Sequence, residues 1–260
     1  MFTTIHYSHI YSLERVWFSN SATAQCDVLR FLRANEPLPN SMFVINDTPV
    51  ETVFSDLRGY DDILKAASKT VKNEVTRCKK EDVQVSMYDS RALSSNPSVL
   101  DCFFDVYKAM AQSANNQELL KAYNPKLIKD YIDSEHLYVS CAIKEDCSVY
   151  HIYVAGANET VLLFSASNFR GEDRELRNLC GRMNKLLHYM DMTYFRDNGY
   201  ELYDWGNISS SSSPNGIDRF KMSFGGTINT VYNSYKGNTL WGKFLVLIYK
   251  VKVVIQKRIL

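Results

Sequence analysis

No run of this 260-residue chain approaches the roughly 18–20 apolar residues that a membrane-spanning helix needs. The first residues, Met-Phe-Thr-Thr-Ile-His-Tyr, lack the basic region and apolar core of a signal peptide, so a cytoplasmic protein is expected. Cysteine is sparse: residues 26, 78, 102, 141, 147 and 180 form no CxxC pair and stand beside no histidine at metal-ligand spacing. Reduced thiols are therefore expected, with neither a disulfide frame nor a metal centre. Cys141 and Cys147, flanking a predicted hairpin turn, are the one pair the sequence brings close. Eleven glycines and six prolines are too dispersed to mark a domain linker, and no repeat divides the chain. GxSxG, Walker A and GxGxxG motifs are all missing, which removes the usual serine-hydrolase, P-loop and dinucleotide chemistries.

One further absence is local. No aspartate or glutamate follows Asp218, whereas Arg219, Lys221, Lys236, Lys243, Lys250, Lys252, Lys257 and Arg258 do. From Trp241 to Leu260 the pattern reads as a helix, with Trp241, Phe244, Leu245, Ile248, Val251 and Ile255 along one stripe. Lys243, Lys250 and Lys257 recur along another. Two readings stay open: a terminal helix packed on the core with a solvated basic face, or a basic amphipathic surface for membrane phospholipid, a lipid-linked pyrophosphate or tRNA.

What is abundant is tyrosine, at 17 residues, which suits either a cleft or a β-rich core. Periodicity predicts strands near 3–10, 42–46 and 49–56, then a helix over 60–80. Strand 83–88, helices 98–112 and 125–134, and strands 137–144, 148–155 and 160–166 follow. A long helix spans 173–198, stopped by Gly199, before strand 201–205, helix 216–223 and strand 227–235. The order from residue 83 is β-α-α-β-β-β-α-β-α-β, an α/β fold with a mixed central sheet and helices on both faces.

Residues 199–226 concentrate chemistry-bearing groups. A short aromatic strand ends at Asp204, a serine loop follows at 209–213, and a short helix sets Arg219 and Lys221 beside Phe220 and Phe224. A strand-end carboxylate facing a cationic helix across a loop is a common way to assemble a site. The wording of these residues is also distinctive. Tyr203-Asp204-Trp205-Gly206 and Phe220-Lys221-Met222-Ser223-Phe224-Gly225 resemble the "YDxGG … FKxxFG" pattern of the FemAB-like branch of GNAT acyltransferases. Val71 to Val83 resembles that family's "NxIRRAEKxGV" helix, with Val75 and Thr76 departing from it, and Gly181 to Tyr189 its "GRANxxLHW" segment. The familiar members carry two GNAT units. This chain is too short for both, so residues 1–80 are expected to be a trimmed remnant of the first and 81–260 the acyltransferase core.

The resemblance implies an acyltransferase in which two parallel strands, here 160–166 and 201–205, splay to admit the acyl donor. It implies that the next helix N-terminus holds the donor's pyrophosphate, with Ser167, Asn168, Arg170, Arg174, Arg177 and Arg182 as candidate anchors. The Q/RxxGxG/A pattern for coenzyme A is missing, so the donor is either acyl-CoA held differently or an aminoacyl-tRNA. Lys221 is implied to stabilise the oxyanion. Asp204 and His188 are candidate proton acceptors, and Tyr203, Trp205, Arg219 and Phe220 candidate substrate contacts. The implied acceptor is an amine on a cell-envelope precursor: an amino sugar, a lipid-linked glycan or a peptidoglycan stem. The alternatives are a non-catalytic binder of lipid-linked glycan or tRNA, and an N-acyl amino acid synthase using acyl carrier protein.

Overall fold

The computed structural model describes residues 1–22, 25–59, 62–168 and 173–259, with side chains to residue 252. In chain order the first elements are strands β1 (Phe2–Tyr7), β2 (Ser12–Trp17), β3 (Val28–Ala34), β4 (Val44–Asn46) and β5 (Val50–Asp56). Helix α1 (Lys69–Cys78), strand β6 (Gln84–Asp89) and helices α2 (Ser90–Ser95), α3 (Ser98–Ser113), α4 (Gln117–Ala122) and α5 (Pro125–Asp133) follow. Then come β7 (Leu137–Lys144), β8 (Cys147–Gly156), β9 (Glu159–Ser167), α6 (Arg174–Asp197) and β10 (Leu202–Asn207). The chain ends with α7 (Gly216–Met222), β11 (Thr227–Gly237) and α8 (Leu240–Ile259).

Two compact units result: Met1–Thr52 with Asn229–Leu260, and Val53–Ile228. The expected division at residue 80 does not coincide with them. Helix α1 packs on α6 through Val71 and Val75, within the larger unit, and the last helix shares its unit with the N-terminal strands.

In the smaller unit the strands run β1-β2-β3-β11, and β4 also pairs with β11. Val16, Leu29, Phe31, Leu38 and Val44 form its core. Periodicity does not reveal strands β2 and β3, because Arg30 and Arg33 interrupt the apolar pattern of β3. Arg30 is accommodated by partners distant in sequence, stacking 3.9 Å over the Tyr235 ring and donating to Asp47 at 2.6 Å.

The larger unit has the order β5-β10-β9-β8-β7-β6, with β9 and β10 parallel. Strand β8 is buried along nearly all its length, as expected for a strand covered on both faces. Its odd-numbered residues from Val149 to Tyr153 face α6, while Tyr150 meets Phe103 of α3 on the other side. Helix α1 begins at Lys69 rather than near residue 60, because the Ser68 side chain caps it by accepting from Val71 N–H. All six cysteines are free, and five are buried.

Strands β9 and β10 share only three ladder positions, ending at Asp204 opposite Val161, although both strands continue. Leu163 is an extra residue in β9, where the register with β8 shifts between Ile152 and Tyr153. Phe164 beyond it packs into the α3 cluster with Phe103, Tyr107 and Tyr123. Tyr203 turns to the α6 face, so both large side chains are committed to faces of the sheet.

Candidate active site

Three elements of the larger unit converge on one buried polar cluster. Helix α6 offers Asn184, His188 and Asp191, spaced four and three residues apart and hence on one stripe. Strand β8 offers His151 and Tyr153, and β10 offers Tyr203 and Trp205, each pair on one strand face. His151, His188 and Asp191 are at most 2% exposed. Asp191 Oδ2 accepts from Tyr153 Oη at 2.5 Å and from His151 Nδ1 at 2.7 Å. The other ring nitrogen of His151 faces Asn184 Oδ1 at 2.8 Å. Both ring nitrogens thus face side-chain oxygens.

The proton order along the remaining links follows. Tyr153 spends its hydrogen on Asp191, so at 2.7 Å Tyr203 donates to Tyr153. The Tyr203 oxygen then accepts from His188 Nδ1 at 2.8 Å. His188 is therefore a neutral Nδ1–H tautomer whose Nε2 lone pair has no hydrogen-bond partner among the described residues. A continuous donor path leads from His188 through Tyr203 and Tyr153 to Asp191. The second Asp191 oxygen is buried without a partner among the described residues.

Ligand atoms of His151, His188 and Asp191 lie within 4.8 Å of one another, a spacing that invites a metal reading. The ring geometry disfavours it. The two imidazoles stack with centroids 4.0 Å apart and planes 25° apart, whereas a coordinated ion lies in the plane of each ring that binds it. The cluster fits a proton relay rather than a coordination sphere.

Burial, then the cationic neighbours His151, Lys221 and Lys185, push the His188 imidazole well below its ordinary value of 6.5. Burial and the Asp191 charge push the Tyr153 and Tyr203 phenols well above 10. The unfolded chain then binds a proton at His188 near pH 6.5 that the folded chain refuses. Stability from this group is complete above 6.5 and declines as pH falls, by about 1.4 kcal/mol per pH unit until the folded imidazole titrates. Urea unfolding between about pH 7.5 and pH 5 is expected to show this slope, reduced in His188→Gln. An unchanged slope would assign it to other groups, such as His136, which burial also lowers.

Beyond the cluster, Lys221 Nζ donates to Asn207 O at 2.7 Å, just past the end of the β9–β10 ladder. Gly206 permits this approach. It has φ of +73°, and a Cβ there would lie 2.8 Å from Leu162 O and 3.8 Å from Lys221 Nζ. Phe220 stands 5.6 Å from the His188 ring, and Lys185 is paired with Glu74 at 2.7 Å. The structure thus gathers Lys221, His188 and Phe220 of the sequence candidates. Asp204 is buried and accepts from Gly206 N–H at 2.9 Å, setting the turn that carries Asn207 to Lys221.

Other candidates are placed differently. Tyr203 and Trp205, expected as substrate contacts, are fully buried; Tyr203 is a relay member and Trp205 a core residue whose indole donates to Ser55 Oγ at 2.9 Å. Arg219 is exposed and donates to Pro214 O at 2.6 Å. The serine loop is tied down by Asp218, which accepts from Ser209 N–H and Asn215 N–H at 3.1 Å each. Burial works to raise that carboxyl, and the serine and asparagine hydrogen bonds hold it below its ordinary value.

The expected pyrophosphate site is the largest departure. Asp173 caps α6 by accepting from Glu175 N–H and Leu176 N–H, so those donors are taken and the end carries negative charge. Asn168 instead braces the β7–β8 turn, accepting from Ser148 N–H at 2.9 Å. Arg182 forks onto Glu81 at 2.7 and 3.0 Å. Ser167 ends β9, Arg174 and Arg177 lie exposed in the first turn of α6, and Arg170 falls outside the described residues.

Sequence reasoning does not single out His151, Tyr153 and Asp191. They are separated by up to 40 positions and lack motif spacing; alternation of β8 and the α6 stripe are the only available signals.

A groove of about 200 Å³ also lies in this unit, bordered by Ser55, Asp56, Met192, Phe224, Gly225 and Gly226. Gly226, at φ +122°, comes so close to Phe54 that a Cβ would lie 2.5 Å from its carbonyl oxygen.

No family model matches this chain, and no curated protein matches it by sequence. Solved structures do match in fold. FemX superposes with a TM-score of 0.56 at 9% identity, covering 89% of this chain and 83% of its own. L-PGS from Bacillus licheniformis gives 0.51 at 8% identity, covering 95% and 84%. A domain described as the C-terminal part of a lysylphosphatidylglycerol synthetase from Agrobacterium fabrum gives 0.53 at 13%, covering 87% and 72%. The chain thus shares its α/β fold with FemX and with these two structures.

Proposed function

We propose that this protein is an N-acyltransferase that passes an acyl or aminoacyl group to an amine on a cell-envelope precursor. The observation carrying this reading is the position of Lys221 at the end of the β9–β10 ladder, on the same short helix as Phe220, whose ring stands 5.6 Å from that of His188. An acyl carbonyl lodged between the strands would bring its oxygen to Lys221 Nζ. As the amine attacks, the new C–N bond forms and the carbonyl electrons move to oxygen, where Lys221 offsets the charge. His188 Nε2 takes the amine proton, while its Nδ1 proton passes to Tyr203, that of Tyr203 to Tyr153 and that of Tyr153 to Asp191. Collapse of the adduct re-forms the carbonyl and breaks the ester or thioester bond, and as the relay runs back His188 Nε2 returns the proton to the departing oxygen or sulfur of the carrier. Asp204 acts as a positioning residue through Gly206.

Closure of the α6 N-terminus by Asp173 removes one anchor expected for acyl-CoA. That favours an aminoacyl-tRNA donor, in line with the FemAB resemblance. The fold relatives named for lysylphosphatidylglycerol support an envelope acceptor, with the amino sugar, lipid-linked glycan and peptidoglycan stem as its proposed forms. The commitment of Phe164 and Tyr203 to the sheet faces supports an enzyme over a binder with a plugged gap.

Thermal shift and native mass spectrometry with coenzyme A, acetyl-CoA, longer acyl-CoAs and charged tRNA test the donor. Bound at about 100 times its Kd, a donor adds about 2.7 kcal/mol, or about 5–10 °C in Tm. Stabilisation by charged tRNA alone is the expected result. Stabilisation by an acyl-CoA would assign a thioester donor, and silence from both would overturn the transferase reading.

A further inference from the structure

The terminal helix sits with its apolar stripe outward. The residue pattern alone points the lysine stripe to the outside, and the structure reverses that. Lys250 Nζ turns inward to donate to Ser41 O at 2.9 Å and Val44 O at 3.1 Å, and Lys243 lies over the Phe43 ring. The inner face is completed by buried Val246 and by Gly242, which approaches Asp27 so closely that a Cβ there would lie 1.7 Å from its carbonyl oxygen. On the opposite stripe Trp241, Phe244, Ile248 and Val251 are 46 to 53% exposed. The patch continues onto exposed Ile10, whose carbonyl accepts the Trp241 indole N–H at 2.8 Å.

We propose that this stripe is a docking surface for the interface of an anionic phospholipid bilayer. Isolated exposed apolar residues are ordinary, but a continuous stripe on one helix, with exposed Lys252 at its side, is the pattern of a helix lying in the headgroup region. The charge argument selects lipid over a second protein copy. Helix α8 contains no acidic residue and five cations, Lys243, Lys250, Lys252, Lys257 and Arg258, and Lys252 is exposed beside the stripe. Two copies would bring like charges together, whereas an anionic leaflet is complementary. Among the described residues no helix is long and apolar enough to cross a membrane, so the helix would lie on the surface rather than span it. Trp241 and Tyr249 have the apolar body and polar tip that favour that depth.

The protein carries its own probe. Of its three tryptophans, Trp17 and Trp205 are buried, so emission changes on adding vesicles report Trp241. Full-length protein should be mixed with vesicles of phosphatidylcholine alone, or of phosphatidylcholine and phosphatidylglycerol in equal parts, followed by sedimentation. Blue-shifted emission and co-sedimentation are expected with the anionic vesicles only, weakening as salt rises. The double variant Phe244→Glu/Ile248→Glu, altered at exposed positions, is expected to bind at least about tenfold more weakly while melting at the wild-type temperature. Absence of vesicle binding by the wild-type protein would overturn the proposal. So would a lipid-free dimer, detected by native mass, that the same substitutions dissociate.

Discussion

Lys221→Ala is expected to lose at least about a hundredfold in turnover, which is about 2.7 kcal/mol of transition-state stabilisation, with folding stability almost unchanged. The two effects separate because of where the lysine sits. Its side chain is only partly buried, and it donates to Asn207 O, a carbonyl at the end of β10 that water can serve in its place. Surface positions of this kind usually change stability by less than about 0.5 kcal/mol. In the transition state no such substitute exists, because the developing oxyanion would face Nζ within a gap between strands. Single-turnover rates with the donor identified by thermal shift, alongside urea unfolding of the same variant, check both halves. Wild-type turnover in Lys221→Ala would remove the lysine from the mechanism. Equal losses of rate and stability would instead make it a structural residue.

Trp205→Ala is expected to do the opposite and act first on the fold. The indole is fully buried, packed edge-on and tilted against Tyr203, His188 and Phe224 with ring centroids 4.6 to 5.0 Å away. Its N–H donates to Ser55 Oγ across to β5. Truncating a buried tryptophan costs about 3–5 kcal/mol through lost transfer energy and the cavity left behind. For a domain of this size that lowers Tm by about 10 °C or more. Trp241→Ala, at a half-exposed position, is the matched control and is expected to cost less than about 1 kcal/mol. Calorimetry of the pair decides the matter, and equal losses would mean that the core is not centred on Trp205.

Lys221 and Trp205 both stand in recognisable motifs of the sequence, yet their roles are not equally legible there. The FKxxFG wording falls on α7, from which Lys221 reaches the Asn207 carbonyl at the end of β10. The neighbouring motif suggests substrate contact for Tyr203 and Trp205, which the structure buries. Strand alternation announces that the two share a face, but not which layer covers that face; here it is α6.

Elements whose signal is local can be read from the chain. The α3 helix and the β7–β8–β9 meander follow from periodicity, and α5, α6 and α7 also from Asn124, Asp173 and Asn215 at their starts, all interactions among near neighbours. Strand β3 escapes such reading because its Arg30 is satisfied by Asp47 and Tyr235. The orientation of α8 escapes it for a related reason. Its pattern defines two stripes, but which one faces inward depends on the carbonyls of Ser41 and Val44 meeting Lys250 and on Gly242 fitting against Asp27. The Asp191–His151 pair and the relay to His188 lie further still from anything local, since each link joins residues on different strands and helices. Amino-acid order specified the helices, the strands and the motif lysine through short-range periodicity and capping. Packing alone decided which polar groups became each other's neighbours, because buried hydrogen bonds are settled by distance in space rather than along the chain.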